Sequence, residues 1–413
     1  MVRVRRGSEV GIAVENHLPE GTTLHWRGIR LPNPMDGVPG VTQPAIAPGD
    51  RFVYEFRPAD AGTFFYHSHA GLQLDTGIQG PLVVEDPSER AEYDEEAFLQ
   101  LDDWLDGLDG LTPQTELAQL KARAAGKTMM MPAMTPPPLM SSRWPGAVVT
   151  HEFDKGDVQD YPLFLITGRP PESPHVVTAG AGKRVRLRTV NAGSDTAFAF
   201  FVEGQTMTVT HADSVPVRPV RTEGLVLGPG ERYDAIVEVP EGVTRLIAAP
   251  MDKKGVAMAV LRSTGAKVRG GLERDPYSVP VQVLPYHELR SLEGPRLHDT
   301  PRPIELELGK VEGEYKWLIQ GQSYPEAEPV PVGVGEHVRF VIKEATGMPH
   351  PMHLHGHFFR LGGPNGPVKD TFLPPPMQVS TIDWVRENPG RWAFHCHNEY
   401  HADTGMLRVV SVE

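Results

Sequence analysis

The residues best suited to metal chemistry lie in the last part of the chain. Seven of the 17 histidines fall between residues 350 and 401, and the only cysteine, Cys396, stands between His395 and His397. In an extended strand, side chains two residues apart point to one face and the residue between them points to the other. The triplet therefore predicts two imidazoles facing one site and a thiolate facing another.

The thiolate side of this triplet has the spacing of a blue-copper electron-transfer site, which takes two imidazoles, one thiolate and a weak axial thioether. His401 follows Cys396 by five residues, Met406 follows it by ten, and His350 offers the second imidazole. We therefore predict a mononuclear copper centre at these four residues. The alternative is a buried, inert thiol beside unrelated histidines.

The same pattern recurs near the start of the chain. Residues 25–28 (HWRG) are similar to residues 353–356 (HLHG), and residues 62–69 (GTFFYHSH) are similar to residues 390–397 (GRWAFHCH). The interval from His25 to His67 is 42 residues, and so is the interval from His353 to His395. We predict that the two copies meet in a site for several copper ions, whose ligands come from His25, His67, His69, His353, His355, His395 and His397. An electron at Cys396 would reach that site through either flanking peptide.

A third copy without histidines is present in the middle of the chain, where residues 229–238 resemble residues 48–55. Alternating strand patterns occur at residues 2–4, 52–56, 185–190 and 337–342, and the best helical candidates are residues 95–105 and 115–125. We therefore predict an all-β chain of three related domains, at residues 1–90, 91–265 and 266–413. The boundaries fall in the acidic stretch 85–96 and the proline-containing stretch 265–303, and the first domain is short of an opening strand or two.

Composition limits the number of domains and the kinds of partner that the chain can have. At roughly 100 to 200 residues per domain, the 413 residues suffice for two to four domains, and the 42 glycines and 41 prolines favour a turn-rich protein. The formal charge of -13, without a Lys/Arg tract, argues against a nucleic-acid partner. The sequence has neither a long apolar run nor a charged-then-apolar leader, so it predicts no membrane span and no signal peptide.

The four histidine motifs resemble those of the three-domain, laccase-like multicopper oxidases of bacterial type. They are His25-Trp26-Arg27-Gly28, His67-Ser68-His69, residues 350–355 (HPMHLH) and residues 395–406 (HCHNEYHADTGM). The resemblance covers nearly the whole chain and implies three cupredoxin-like Greek-key β-sandwich or barrel domains. It also implies copper-dependent oxidation of phenols, aromatic amines or Cu(I), one electron at a time, coupled to reduction of dioxygen to water.

The resemblance further implies which residues bind which copper. His350, Cys396, His401 and Met406 would hold the mononuclear (type 1) ion, and His25 with His353 would hold the lone (type 2) ion of a three-copper cluster. The paired (type 3) ions would take His67 with His397, and His69 with His355 and His395. Asp36 matches a family acid that helps to deliver protons, although the alternative is that it stabilises a turn.

One position departs from the family pattern. The first motif of the family is His-x-His-Gly, but Arg27 occupies the place of its second histidine. A guanidinium has five donors and no acceptor, so it cannot ligate copper. We expect that the corresponding paired copper is lost or loosely held, which slows dioxygen reduction. The alternative function is a copper-binding or structural member of the same fold that has no oxidase turnover.

Four further expectations complete the prediction. The resemblance implies a periplasmic or secreted protein, and its partners are dioxygen and a small reducing substrate; the sequence does not indicate an oligomeric state. Acidic residues 102–109 are interpreted as a solvated face. A segment with five methionines at residues 129–140 either binds Cu(I), covers a substrate entrance, or forms an adaptable apolar loop.

Overall fold

The computed structural model describes residues 1–89, 92–126, 161–251, 253–277, 279–280, 282–298 and 300–412. The methionine-rich segment 129–140 lies outside the described residues. Strands dominate the rest, so the all-β prediction is confirmed.

Alternating apolar residues produce three pairs of sheets, which we call the first, second and third sheet pairs. The first contains β1 (Val2–Arg5), β2 (Val10–Glu15), β3 (His25–Arg27), β4 (Arg51–Phe56), β5 (Gly62–His67) and β6 (Gln79–Glu85). The second contains β7 (Glu95–Trp104), β8 (Leu163–Ile166), β9 (His175–Ala179), β10 (Arg184–Asn191), β11 (Phe198–Val202), β12 (Met207–Ala212), β13 (Val215–Thr222), β14 (Leu225–Leu227), β15 (Arg232–Glu238), β16 (Val243–Pro250) and β17 (Ala257–Ser263).

The third sheet pair contains β18 (Arg302–Lys310), β19 (Trp317–Ile319), β20 (Val330–Pro331), β21 (His337–Glu344), β22 (Met352–Leu354), β23 (Phe359–Leu361), β24 (Val368–Lys369), β25 (Thr371–Phe372), β26 (Val379–Val385), β27 (Gly390–Cys396) and β28 (Leu407–Val412). Two α-helices are described, α1 (Pro113–Ala124) and α2 (Glu399–Asp403). Three 3-10 turns lie at Asn33–Met35, Leu272–Arg274 and Tyr286–Glu288.

The sheet orders show the internal repeat. The first pair has the orders β1-β6-β5-β3 and β2-β4; the second has β13-β12-β15-β10-β7-β8 and β14-β11-β16-β17-β9; the third has β19-β18-β21-β26-β23-β24 and β20-β28-β27-β22-β25. In each pair the last strand has a parallel neighbour from earlier in the chain: β1 beside β6, β9 beside β17, and β20 beside β28. The repeat inferred from sequence is therefore a repeat of topology.

Apolar side chains between the sheets form the cores. Val10 and Tyr54 of the first pair's two-stranded sheet pack with Phe64 and Leu82 of its four-stranded sheet. A single continuous core runs through the second and third pairs. A smaller cluster joins the first pair to the second across Phe65, Val83, Phe98, Val190 and Ala192. These interfaces hold the histidine motifs of the first and third pairs in fixed positions.

Two local predictions were wrong, and both concern β7. Residues 95–105 were a helical candidate, but Glu95–Trp104 is a strand because it pairs with β10 on one side and β8 on the other. The acidic residues 102–109 do not form a wholly solvated face, since Asp102 and Asp103 at the end of β7 are buried.

The second helical candidate is confirmed as α1. Its capping box, formed by Thr112 and Thr115, fixes its start. No helix in the described ranges is long and apolar enough to cross a membrane.

Candidate metal centres

Strand register brings the two copies of the histidine motif together. β3 and β5 pair antiparallel with His25 opposite His67, and β22 and β27 pair antiparallel with His353 opposite His395. The equal spacing of 42 residues in the sequence therefore corresponds to the same cross-strand pairing in both copies.

The alternation predicted for residues 395–397 is present at the end of β27. The rings of His395 and His397 lie on one side with centroids 6.0 Å apart, and both face histidines of the first sheet pair. The Cys396 sulfur faces the other way, toward His350 and His401. One strand thus contributes to two separate ligand groups.

The ligand atoms of the larger cluster converge closely. Nε2 of His355 lies 2.9 Å from Nε2 of His395, and Nε2 of His69 lies 3.4 Å from the same atom. A second pair of Nε2 atoms, those of His67 and His397, is 3.4 Å apart. A third group joins His25, His353 and His355, whose ligand atoms lie within 4.8 Å of one another. All seven predicted cluster histidines are therefore brought together.

Hydrogen bonds at Nδ1, the other ring nitrogen, determine whether these Nε2 atoms have a free lone pair. Nδ1 of five histidines lies within 2.9 Å of an oxygen that can only accept: His25 with Asp36 O, His67 with Ser68 O, His353 with Asp370 O, His355 with Asp36 Oδ2, and His395 with Cys396 O. Each Nδ1 therefore holds the proton, which leaves a lone pair on Nε2.

The converging lone pairs fit metal ions. Burial is the largest cause that lowers the pKa of His353, His355 and His395 well below the ordinary value, so these rings stay neutral near neutral pH. The Nε2 atoms of His25 and His353 are buried and have no hydrogen-bond partner among the described residues. Neutral, preoriented imidazoles with unpaired Nε2 atoms are what a copper cluster requires.

In the mononuclear group, the histidines direct Nδ1 rather than Nε2 toward the shared site. Nδ1 of His350 and Nδ1 of His401 are 3.0 Å apart and lie 3.6 and 3.7 Å from Sγ of Cys396. Nε2 of His350 lies 2.8 Å from the Thr346 hydroxyl, which donates to the Glu344 carboxylate and therefore accepts from His350. Met406 adjoins the group, because its backbone oxygen accepts from the Cys396 amide.

The mononuclear group is fully enclosed. His350, Cys396, His401 and Met406 have 0% exposure. Burial lowers the pKa of His350 to about 3 and raises the pKa of the Cys396 thiol. A bound cation would offset the raised thiol pKa, because metal binding releases the thiol proton.

Asp36 lies between two cluster histidines. Its Oδ2 is 2.9 Å from Nδ1 of His355, and its backbone oxygen accepts from Nδ1 of His25. The residue is 0% exposed and Oδ1 has no hydrogen-bond partner among the described residues. The carboxylate therefore orients the ring of His355 directly, and Asp36 also ends the 3-10 turn Asn33–Met35, as the turn interpretation expected.

Arg27 lies where the repeat would place a third ligand beside His67 and His397. It is 0% exposed, its Nη2 donates to the Thr371 hydroxyl, and its Nε lies 3.7 Å from Asp370 Oδ1. Burial lowers its pKa to about 9, which still leaves the guanidinium charged at neutral pH. The charged guanidinium of Arg27 therefore lies beside His67 and His397, the one group of converging Nε2 atoms that consists of only two histidines.

Sequence reasoning missed several residues that complete these sites. Trp317 packs on His401, Thr346 fixes the ring of His350, and Gly230 leaves room for Arg27. None lies in a histidine motif. The one available signal was Thr346, four residues before His350.

A cavity of about 300 Å³ reaches the cluster. It is lined by His67, His69, His395 and His397, and by the acidic side chains of Glu399 and Asp403. Small molecules of the size of dioxygen and water fit such a space.

Comparisons with known proteins extend over all three sheet pairs. A family model described as multicopper oxidase matches residues 1–89, a second matches residues 145–266 and a third matches residues 298–413. The multicopper oxidase MmcO of Mycobacterium tuberculosis is 37% identical over 422 residues, which cover 98% of this chain and 80% of that protein.

Two further similarities have the same extent. A copper resistance protein A homolog of Pseudomonas syringae is 29% identical, over 100% of this chain and 87% of its own length. The crystal structure of a multicopper oxidase from Pseudomonas thermotolerans superposes with a TM-score of 0.74 at 26% identity, covering 100% of this chain and 91% of that one.

Proposed function

The chain belongs to the multicopper oxidase family, and on that premise we propose that it couples one-electron oxidation of a small reducing substrate to reduction of dioxygen to water. Phenols, aromatic amines and Cu(I) are the candidate substrates. The observation that supports this reaction is the end of β27, where Cys396 faces one ligand group while His395 and His397 face the other.

We assign the ligands as the family pattern and the observed contacts suggest. His350, Cys396, His401 and Met406 hold the mononuclear copper, and His25 and His353 hold the lone cluster copper. His69, His355 and His395 hold one of the paired coppers, and His67 and His397 offer two ligands to the other. Bound copper would supply the redox chemistry, namely one-electron oxidation of the substrate at the mononuclear site and reduction of dioxygen at the cluster.

The chain's own residues have three tasks in this scheme. Cys396 is peptide-bonded to His395 and to His397, so an electron has a short covalent route between the two ligand groups. Asp36 holds the ring of His355 and is placed to pass protons toward the cluster. The acidic cavity wall at Glu399 gives solvent a polar approach from the other side.

Arg27 supports a second candidate function. With only His67 and His397 beside a buried cation, the second paired copper is lost or weakly bound, so the protein binds copper without efficient turnover. The name of the copper resistance relative agrees with a role in copper binding. We favour the oxidase because every other cluster histidine is in place.

The test is to restore the ligand. We expect Arg27→His to raise the copper content by about one ion per chain and to increase oxygen uptake with a phenol. The visible thiolate-to-copper absorption of the mononuclear site should stay unchanged, because Arg27 lies outside that group.

Arg27→Met is the matched control, since it removes the charge without adding a ligand. If Arg27→His gains neither copper nor oxygen uptake over Arg27→Met, our interpretation of position 27 is wrong. If the native protein already has a full cluster and ordinary turnover, the second candidate function is excluded.

We also propose that the protein works in the periplasm or outside the cell, because the family resemblance points to exported enzymes. Fractionation of cells that make the native protein tests this. Recovery in the cytoplasm alone would contradict it.

A further inference from the structure

Glu344, the last residue of β21, is a buried carboxylate beside the mononuclear group. Its side chain is 0% exposed, and its Oε1 lies 3.8 Å from Nε2 of His350. Among the described residues no lysine or arginine pairs with it, and the adjacent Lys343 pairs with Glu307 instead. A buried carboxylate without a cationic side chain is costly. Glu344 therefore requires another source of compensation.

Four hydrogen-bond donors surround this carboxylate. Oε1 accepts from the Thr346 amide at 2.6 Å and from the Thr346 hydroxyl. Oε2 accepts from the amides of Gly347 at 3.1 Å and Met377 at 3.0 Å. Acceptance at both oxygens is the pattern of an ionised carboxylate. The interior next to His350 therefore contains a fixed negative charge.

The backbone of Met377 is arranged to meet this charge. Its φ of +58° is in the left-handed region, which a residue other than glycine adopts at a cost in free energy. In this conformation its amide donates to Oε2, and the Glu344 amide donates to Gln378 O at 3.0 Å. Strained residues persist where the surrounding structure determines their conformation. The carboxylate is thus held from two separate segments of the chain.

The Thr346 hydroxyl connects Glu344 to a proposed copper ligand. Because the carboxylate only accepts, the hydroxyl proton points to Oε1. The hydroxyl oxygen then accepts from Nε2 of His350 at 2.8 Å and from the Met348 amide at 3.3 Å. The imidazole proton is thereby held on Nε2, so Nδ1 faces the Cys396 sulfur with a lone pair. The direction of each hydrogen bond in this chain is determined.

This direction determines the effect on the ligand. A carboxylate that receives the proton side of a ligating imidazole makes that ligand more basic. In a buried site the effective dielectric constant is low, so a fixed negative charge favours the more positive of two bound ions. The chain from Glu344 through Thr346 to His350 therefore favours Cu(II) over Cu(I).

We propose that Glu344 is a positioning residue that sets the reduction potential of the mononuclear centre and holds it low through Thr346 and His350. This inference rests on the proposed copper site and adds a residue outside its ligand set. The redox step is the one-electron couple in which Cu(II) gains an electron from the reducing substrate and becomes Cu(I). The network's protons stay on Nε2 and on the hydroxyl.

Redox titration of the copper-loaded protein, followed at the thiolate-to-copper absorption, tests this role. We expect Glu344→Gln to shift the equilibrium toward Cu(I) by about tenfold or more, because a fixed negative charge is removed. For a one-electron couple, tenfold corresponds to about 59 mV. The wavelength of the absorption should change little, since all four proposed ligands remain. An unchanged potential in Glu344→Gln would overturn the proposal.

Variants of Thr346 provide the second arm and leave the carboxylate in place, so they remain informative if Glu344→Gln does not fold. Thr346→Val removes the hydroxyl at nearly constant shape and should raise the potential by part of the Glu344→Gln shift. Thr346→Ser keeps a hydroxyl and should have the native potential. A merely structural role would not separate valine from serine in this way. Equal potentials in the two variants would show that the hydroxyl is not the link.

Asp383→Asn is the matched control. Asp383 is a fully buried carboxylate of the same sheet, but it contacts His337, which lies outside the proposed ligand groups, and it pairs with Arg339. Arg339 and Glu344 are five residues apart on β21, or about 16 Å along an extended strand. Asp383→Asn should therefore leave the potential unchanged. A shift as large as that of Glu344→Gln would contradict a specific role for Glu344.

The absorption also separates this inference from the ligand assignment. If the copper-loaded native protein lacks a thiolate-to-copper band, the mononuclear assignment is wrong and the inference fails with it. If the band is present and titrates, but neither Glu344→Gln nor Thr346→Val changes the potential, only the role of Glu344 is wrong.

Discussion

At the scale of single residues, the guanidinium of Arg27 is unusual because it is fully buried beside imidazoles. Thr371 accepts from Nη2, but Nε and Nη1 have no hydrogen-bond partner in the part of the chain that the structure describes. The residue that makes room is Gly230, whose φ of +87° is in the left-handed region. A Cβ there would collide with Nη2 of Arg27 and lie 3.1 Å from Cδ2 of His397. Arg27 and Gly230 therefore form a matched pair.

This pairing predicts non-additive stability. Gly230→Ala should lower the free energy of unfolding by about 2 kcal/mol or more, from left-handed backbone strain and the collision with Arg27. In an Arg27→Ala background the same change should cost about 1 kcal/mol less, because only the strain and the His397 contact remain. Chemical denaturation of the four proteins measures this coupling. Additive effects would show that Arg27 does not occupy the space beside Gly230.

At the scale of elements, β7 brings acidic residues into the interior. Asp103 accepts from the backbone amides of Ser194, Asp195 and Thr196, so its charge is compensated by hydrogen bonds. The charge of Asp102 is less well compensated: the side-chain amide of Gln79 donates to its Oδ2 at 2.9 Å. Burial, followed by the charge of Asp103, raises the pKa of Asp102 well above its ordinary value.

A raised pKa fixes the sign of a pH effect. The folded state holds the Asp102 proton more tightly than the unfolded chain does. The contribution of this residue to the free energy of unfolding is therefore fully present below the unfolded pKa of about 4. It is lost as pH rises toward the folded pKa. Asp102→Asn cannot ionise, so its stability relative to the native protein should be near its lowest at about pH 4 and increase toward pH 8.

Thermal unfolding of both proteins across this range, at one fixed copper loading, is the measurement. Glu336→Gln is a suitable control, because the Arg302 guanidinium lowers the pKa of Glu336 and predicts a trend of opposite sign. A difference between Asp102→Asn and native protein that is independent of pH would contradict the prediction.

At the scale of the whole molecule, buried charges join the second sheet pair to the third. Lys369 of β24 has 0% exposure, and its Nζ lies 3.1 Å from Asp213 and 3.0 Å from Glu231. Burial disfavours the ammonium, but the two carboxylates outweigh it and raise the pKa of Lys369. Arg232 similarly pairs with Asp370 at 2.6 Å, and the Asp370 backbone oxygen accepts from His353, a proposed cluster ligand. The residue that accepts from His353 is therefore ion-paired with an arginine of the second sheet pair.

Removing one buried partner tests this dependence. Lys369→Met should destabilise the protein by about 3–5 kcal/mol, since two buried carboxylates lose their counter-charge. Lys343→Met, which breaks an exposed pair with Glu307, should cost less than about 1 kcal/mol. Thermal unfolding compares the two. Equal losses would mean that the buried charges do not hold the sheet pairs together.

The sequence by itself determined the fold class, the family and the convergence of the histidines. Strand alternation at residues 395–397 separates the thiolate from its neighbours by geometry alone, and the equal intervals of 42 residues indicated the equal register that the two strand pairs have. The cupredoxin-like fold and the copper cofactors are confirmed, whereas the exact domain boundaries and the ligand assignments stay predictions.

Only the tertiary structure decided the environment of each residue. Residues 95–104 form a strand because β10 and β8 lie beside them, and the carboxylate of Asp102 is buried for the same reason. For His355, the nitrogen that is presented depends on an acceptor distant in sequence, the Asp36 carboxylate. Trp317 and Gly230 lie in no motif. Their roles follow from packing between segments, which local sequence patterns do not encode.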